Sequence, residues 1–294
     1  MIVVKLQGGL GNQMFQYACA KALSLKTNAP LLIDDTFLQQ NNVATEEFTP
    51  RKYELDIFSH GLPKASETLV RSFQNMSPAG RARKLLGLPY KKKITERVDL
   101  GTAQLAGIRP PVYLDGYWQS EQYFAGYEDD IRRFFTFRGQ STLPQNHLEQ
   151  ENIDHTPVSV HFRRGDYISN PVASLVLGAL GMDYYIAAIK EIRSKVARPF
   201  FWIFSDDRDW VAENLQTDAE YCVLGEQSSG RHWADMQLMS LCKHHIIANS
   251  SFSWWGAWLN PNPEKIVIAP KRWFADHSLD KAAAGIVPED WIRL

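Results

Sequence analysis

His161, Arg163, Arg164 and Asp166 emerge in quick succession from the segment VSVHFRRGD (158–166), where an alternating apolar run ends. Two adjacent guanidiniums beside an imidazole and a carboxylate are poor core material. They suit an anion, because arginine presents a planar, permanently charged fork of donors that matches phosphate oxygens. A strand end is the place for them, since open α/β sheets bind ligands outside the carboxyl ends of their strands.

Three further junctions concentrate polar groups in the same way. Gly8, Gly9 and Gly11 allow a tight turn and close backbone approach, and Asn12 and Gln13 add amides at a helix N-terminus, where free N–H groups favour anions. A dinucleotide fingerprint is the rival reading, with Asp34 or Asp35 at a suitable distance for a ribose. It fails at Met14, where GxGxxG needs a third small residue for close helix packing. At Ser205-Asp206-Asp207 a carboxylate pair could hold a metal with phosphate. No DxD follows, however, and one of the two is expected to cap the next helix, so no metal is expected. In ANSSFSWW (248–255), Asn249, Ser250, Ser251 and Ser253 exceed what a single N-cap requires and suit a diphosphate.

The elements that must position these groups read as alternating strands and helices. A strand over 1–6, a helix over about 13–26 and a strand over 31–33 form a βαβ beginning. Residues 36–108 carry no clear period, and Lys91, Lys92 and Lys93 read there as a solvated charge run. A strand then starts at Val112 and a helix is expected over 121–135. The second half predicts strands over 158–161, 200–204, 221–224, 245–248 and 266–269, with helices over 183–195, 209–215, 233–243 and 253–259 between them. This pattern implies a parallel, doubly wound sheet. The polar, proline-punctuated stretch 143–155 marks a boundary between a domain of residues 1–150 and one of residues 151–294.

With 32 Lys+Arg against 33 Asp+Glu, nothing global suggests nucleic acid or an acidic membrane surface, so any affinity for anions is local. Cys19, Cys222 and Cys242 lack metal or CxxC spacing and read as reduced, buried thiols of a cytosolic protein. Neither a signal peptide nor a spanning segment is expected; loose association with an inner membrane stays open. The 9 Trp, 11 Tyr and 15 Phe read first as core payload, with sugar-binding faces as the alternative.

Together these residues resemble the α-1,2-fucosyltransferase family. HFRRGD (161–166) is similar to its HxRRxD signature, joined in order by GGLGNQMFQYA (8–18), FSDD (204–207) and DMQLMSLCKHHIIANSSFSWWGAWL (235–259). The resemblance implies a GT-B architecture, with an acceptor-side and a GDP-fucose-binding Rossmann-like domain facing a central cleft. It implies inverting transfer of fucose from GDP-fucose to the 2-hydroxyl of a terminal β-galactoside, such as lactose or a surface-glycan repeat, with no metal or other cofactor. Arg163 would then meet the β-phosphate, His161 would support it, and Asp166 would act as a brace or a base. Asp235 would bind guanine. Gly11 and Asn12 would approach the diphosphate or fucose, and Ser250, Ser251 and Phe252 would line the phosphates. Gly9, Gln13, Arg164, Ser205, Asp206 and Asn249 complete the expected donor side. The alternatives are a fucosyltransferase with another acceptor or linkage, including one that modifies protein, and an inactive glycan- or nucleotide-binding module.

Overall fold

The computed structural model describes residues 1–45, 47–58, 61–75, 77–139, 154–224 and 233–294. The chain forms two compact units, residues 1–44 with 50–138, and residues 45–49 with 139–294. Each holds one parallel sheet, the α/β architecture expected from the alternating pattern. The boundary expected near residue 150 falls outside the described residues.

In the N-terminal unit, β1 (Ile2–Lys5), β2 (Leu31–Asp34), β3 (Lys92–Thr95) and β4 (Val112–Asp115) form a sheet in the order β2-β1-β4-β3. Ile2, Val3 and Val4 are fully buried, as a central strand covered on both faces requires. The helix after β1 runs over Leu10–Thr27 and starts earlier than expected, directly behind the N-cap Gly9. Two other expectations change here. The lysine run supplies the edge strand β3, with Lys93 Nζ 2.6 Å from Asp115. The helix expected over 121–135 is broken by Gly126 at φ 83 into a 3-10 turn, Glu121–Phe124, and a short helix, Glu128–Phe134.

The C-terminal unit orders its sheet β10-β9-β8-β5-β6-β7. Its strands are β5 (Thr156–Phe162), β6 (Pro199–Ser205), β7 (Tyr221–Val223), β8 (His244–Ile246), β9 (Val267–Ala269) and β10 (Ile292–Arg293). The two-residue β10 had no readable signal, since so short a segment shows no period. Val158, Val160 and Phe162 alternate onto one face of β5 and pack against Tyr185, Ala188, Ile189 and Ile192 of helix Met182–Lys195. Spacing of three and four residues aligns those four on one side of that helix. On another face of the unit, Trp202 and Phe204 meet Leu238, Met239 and Cys242.

The aromatic load is mainly core. Trp118, Trp202, Trp254, Trp255, Trp258, Trp273 and Trp291 are buried, which removes them as exposed sugar platforms. Trp254 satisfies its indole N–H on Ile286 O at 2.8 Å. Ser159, His245 and Asn260 form a buried polar chain, with Ser159 Oγ 2.8 Å from His245 Nδ1 and Asn260 Nδ2 2.8 Å from His245 Nε2. The Asn260 amide donates, so Nε2 accepts and the imidazole proton sits on Nδ1, facing the serine.

Candidate functional site

Register brings the first two polar junctions of the C-terminal unit together. β5 and β6 pair in parallel with His161 opposite Phe204 and Phe162 opposite Ser205, so both strands release their loops at the same level. The HFRRGD loop therefore lies beside Ser205-Asp206-Asp207. Arg163 is held between two carboxylates, Nη2 2.7 Å from Asp166 Oδ1 and Nη1 2.8 Å from Asp206 Oδ2. Arg164 turns to Asp207 at 3.0 Å and stacks its guanidinium 3.6 Å over Trp210.

Asp206 and Asp207 thus divide their work. Asp206 Oδ1 also accepts the Arg164 backbone N–H at 2.8 Å, while Asp207 caps helix Arg208–Asn214 by accepting from Trp210 N. Ser205 Oγ accepts from Asp207 N at 2.9 Å and shapes the turn. The cap expected of the pair is Asp207. Asp206, expected on the donor side, is spent on the arginine loop. Gly165 makes this docking possible, because a Cβ there would come 2.7 Å from Asp206 Oδ2.

The electrostatics follow from burial. Taking the Arg163 guanidinium out of water opposes its charge, but Asp206 and Asp166 outweigh that penalty and hold its pKa above the ordinary arginine value. His161 is buried, and desolvation lowers it to about 4; Arg163 adds to the shift and Asp206 opposes it. It is therefore a neutral imidazole at pH 7. Its Nδ1 is buried and hydrogen-bonds to none of the described residues.

The third junction joins from the other side of β5. Chain order runs β5-β6-β7 one way and β8-β9-β10 the other, so the gap between β5 and β8 is the topological switch point, where open α/β sheets open a crevice. Tyr167, next to the signature, donates its hydroxyl to Asn249 O at 3.0 Å and lies under Arg163 at 5.5 Å. The Phe252 ring sits 5.8 Å from that of His161. Ser250 is the N-cap of helix Ser251–Leu259 and accepts from Phe252 N, and half-buried Ser251 opens the helix.

Asn249 takes a different role from the expected one. Its Nδ2 donates to Leu177 O, Gly178 O and Trp273 O at 2.9 to 3.1 Å, which makes it a fully buried tie between loops. Half-buried Asp235 lies in the first turn of helix Trp233–Leu241. Among the described residues, no three His, Cys, Asp or Glu side chains group as metal ligands.

The glycine-rich turn belongs to the N-terminal unit, where it also occupies a switch point, between β1 and β4. Gly8 takes φ 76, and a Cβ there would meet Asn12 Nδ2, so both conformation and space demand glycine. Gly9 caps the helix and Gly11 is buried in its first turn. Asn12 Oδ1 accepts from Gln119 Nε2 at 2.7 Å across the switch point. Gln13, expected on the donor side, is wholly buried: Nε2 donates to Gly8 O and Lys52 O, and Oε1 accepts from Glu54 N. The ribose role weighed for Asp34 or Asp35 finds no support, since Asp34 accepts from Thr36 and Tyr113 and Asp35 pairs with Lys64.

Sequence reasoning missed several positioning residues. Trp210 and Tyr167 were unmarked, although an aromatic three residues after Asp207 and another just after Asp166 are the available signals. Glu96 was also unmarked; it accepts from Tyr117 N and Trp118 N at 2.6 and 3.0 Å, and burial pushes its carboxyl up. Nothing in its local sequence announces that contact.

A family model described as glycosyl transferase family 11 matches residues 99–294. The Escherichia coli O-antigen biosynthesis glycosyltransferase WbnK is 34% identical, aligned over 98% of this chain and 99% of its own. An α-1,2-colitosyltransferase of Escherichia coli is 32% identical over 100% of this chain and 99% of its own. Human galactoside α-(1,2)-fucosyltransferase 1 is 29% identical over 55% of this chain and 47% of its own. The chain is a glycosyltransferase and belongs to glycosyl transferase family 11.

Proposed function

We propose that this protein transfers L-fucose from GDP-fucose to the 2-hydroxyl of a terminal β-galactoside, with inversion at the fucosyl carbon. The observation that carries this reading is Arg163, held by Asp166 and Asp206 beside the switch point between β5 and β8. The acceptor oxygen bonds to C1 as the bond from C1 to the β-phosphate oxygen breaks, the acceptor hydroxyl passes its proton to solvent water, and GDP leaves with the electron pair. Negative charge grows on that phosphate, and a fixed guanidinium of known orientation stabilises it without reorganising. Arginine has five N–H donors. The two carboxylate contacts leave Arg163 capacity for a phosphate oxygen.

Neutral His161 and the Ser250–Phe252 helix start complete the donor side, with Asp235 on the guanine. Asp206, Asp207, Gln13 and Asn249 act as braces. Arg163 takes the leaving-group role that a divalent cation fills in other transferases. The test is GDP release and product linkage with GDP-fucose and lactose, with and without EDTA. An α-1,2 product formed equally in EDTA is the expected result; GDP release that ignores lactose, or a different linkage, overturns the reading.

The 32% identity to a colitosyltransferase over the whole chain favours one second reading, GDP-colitose as donor. Turnover with each sugar nucleotide in parallel separates the two.

A further inference from the structure

The helix Pro78–Leu85 and the turn after it bury almost nothing. No residue of that helix is buried, and every residue from Arg81 to Pro89 is exposed, including Leu85 at 88%, Leu86 at 73% and Leu88 at 45%. Scattered surface leucines need no explanation, but three within four residues expose a concentrated apolar patch. The segment is also well formed. Ser77 caps the helix, Pro78 opens it, and the far end is a Schellman turn: Gly87 N donates to Lys84 O and Leu88 N to Arg83 O, with Gly87 at φ 66. Arg83 Nε donates to Pro89 O at 2.6 Å and ties the turn back. The leucines are therefore presented on a hydrogen-bonded turn.

The charge around them is one-sided. Residues 77–93 hold Arg81, Arg83, Lys84, Lys91, Lys92 and Lys93 and no Asp or Glu, in a chain whose net charge is −1. Lys91 is tied to Ser72 and Lys93 to Asp115, but among the described residues no carboxylate pairs with Arg81, Arg83, Lys84 or Lys92. We infer that this segment is a docking surface for an anionic phospholipid bilayer. The leucines enter the boundary between headgroups and acyl chains while the basic residues pair with lipid phosphates, the two-part recognition by which peripheral elements hold such membranes. No helix among the described residues is long and apolar enough to cross a membrane, so attachment of this kind is peripheral. It is independent of the donor and acceptor assigned above, because vesicle binding requires neither.

The experiment is co-sedimentation of the full chain with vesicles of phosphatidylethanolamine plus phosphatidylglycerol, against vesicles of phosphatidylcholine alone. Binding to the anionic vesicles only is expected, with release at about 1 M salt, where screening shortens to about 3 Å. The variant Arg81→Gln/Arg83→Gln/Lys84→Gln should partition on the order of 100-fold less, from about fivefold per basic residue. Leu85→Ser/Leu86→Ser/Leu88→Ser should also lose binding, with the thermal unfolding midpoint unchanged for both variants. Equal binding to both vesicle types, absence of binding, or retention of full binding by both variants overturns the inference. So does a concentration-dependent dimer that the leucine variant abolishes, which would assign the patch to a second copy of this chain.

Discussion

Arg163 and Asp206 are locked 2.8 Å apart, although the two residues lie on different strand ends and 43 positions separate them in the chain. The same carboxylate accepts the Arg164 backbone N–H, so one aspartate sets both the side-chain direction and the loop path of the signature. Orientation of this kind is fixed before any ligand arrives.

Arg163→Lys is therefore expected to lower turnover by about 100- to 1,000-fold, the usual effect of removing one donor aimed at developing charge. A lysine keeps the charge but offers no fork for two carboxylates and a phosphate together. Steady-state kinetics beside a thermal melt checks this; a folded variant with near-normal turnover refutes the assignment.

Asp206→Asn should separate orientation from affinity. The amide oxygen still accepts from Arg164 N, but the charge opposite Arg163 is gone. Turnover should fall about 10- to 100-fold through loss of positioning, while GDP binds no more weakly, because a negative charge has left the anion site. Calorimetric titration with GDP alongside kinetics gives both numbers. Gly165→Ala should act through the same contact by forcing the Asp206 carboxylate away.

Asn249→Ala is a stability variant. It strips three backbone carbonyls of a shared donor, those of Leu177 and Gly178, which are half-buried, and that of Trp273, which is buried. A cost of about 1–3 kcal/mol is expected for such unsatisfied groups and should appear as a lower denaturation midpoint. A variant as stable as the parent would remove Asn249 from the structural account.

Acid should weaken the fold through its buried histidines. Burial lowers His161 to about 4 and His245 well below its ordinary value of 6.5. The folded state prefers both neutral, so their contribution is complete above about pH 6.5 and is lost as pH falls towards 4. Unfolding midpoints measured between those limits should decline, and His161→Asn should flatten part of the decline. A parent protein whose stability is constant over that window contradicts the buried, neutral state of both rings.

How much of this was legible differs by element. The alternation Val158, Val160 and Phe162 announces β5, and GGLGNQ and HFRRGD announce strand-end sites, because periodicity and residue type are local properties. The same holds for a helix cap from one of Asp206 and Asp207, which the structure assigns to Asp207. Over 36–108 the strand β3 hides in a lysine run, since an edge strand with one covered face needs few apolar residues.

What the sequence by itself determined is the alternation of strands and helices, the four polar junctions and the chemistry of an anion site. Only the tertiary structure decided which polar residues remain available for a ligand. Gln13 and Asn249 look like ligand-binding amides to a reader of sequence and both turn inward, to partners 39 and 41 positions away for Gln13 and 24 to 72 positions away for Asn249. Sheet order decided the rest: placing β8 beside β5, while the chain continues from β5 to β6, sets Tyr167 and Phe252 next to the arginine loop. Strand order is a property of long-range packing, and no local pattern encodes it.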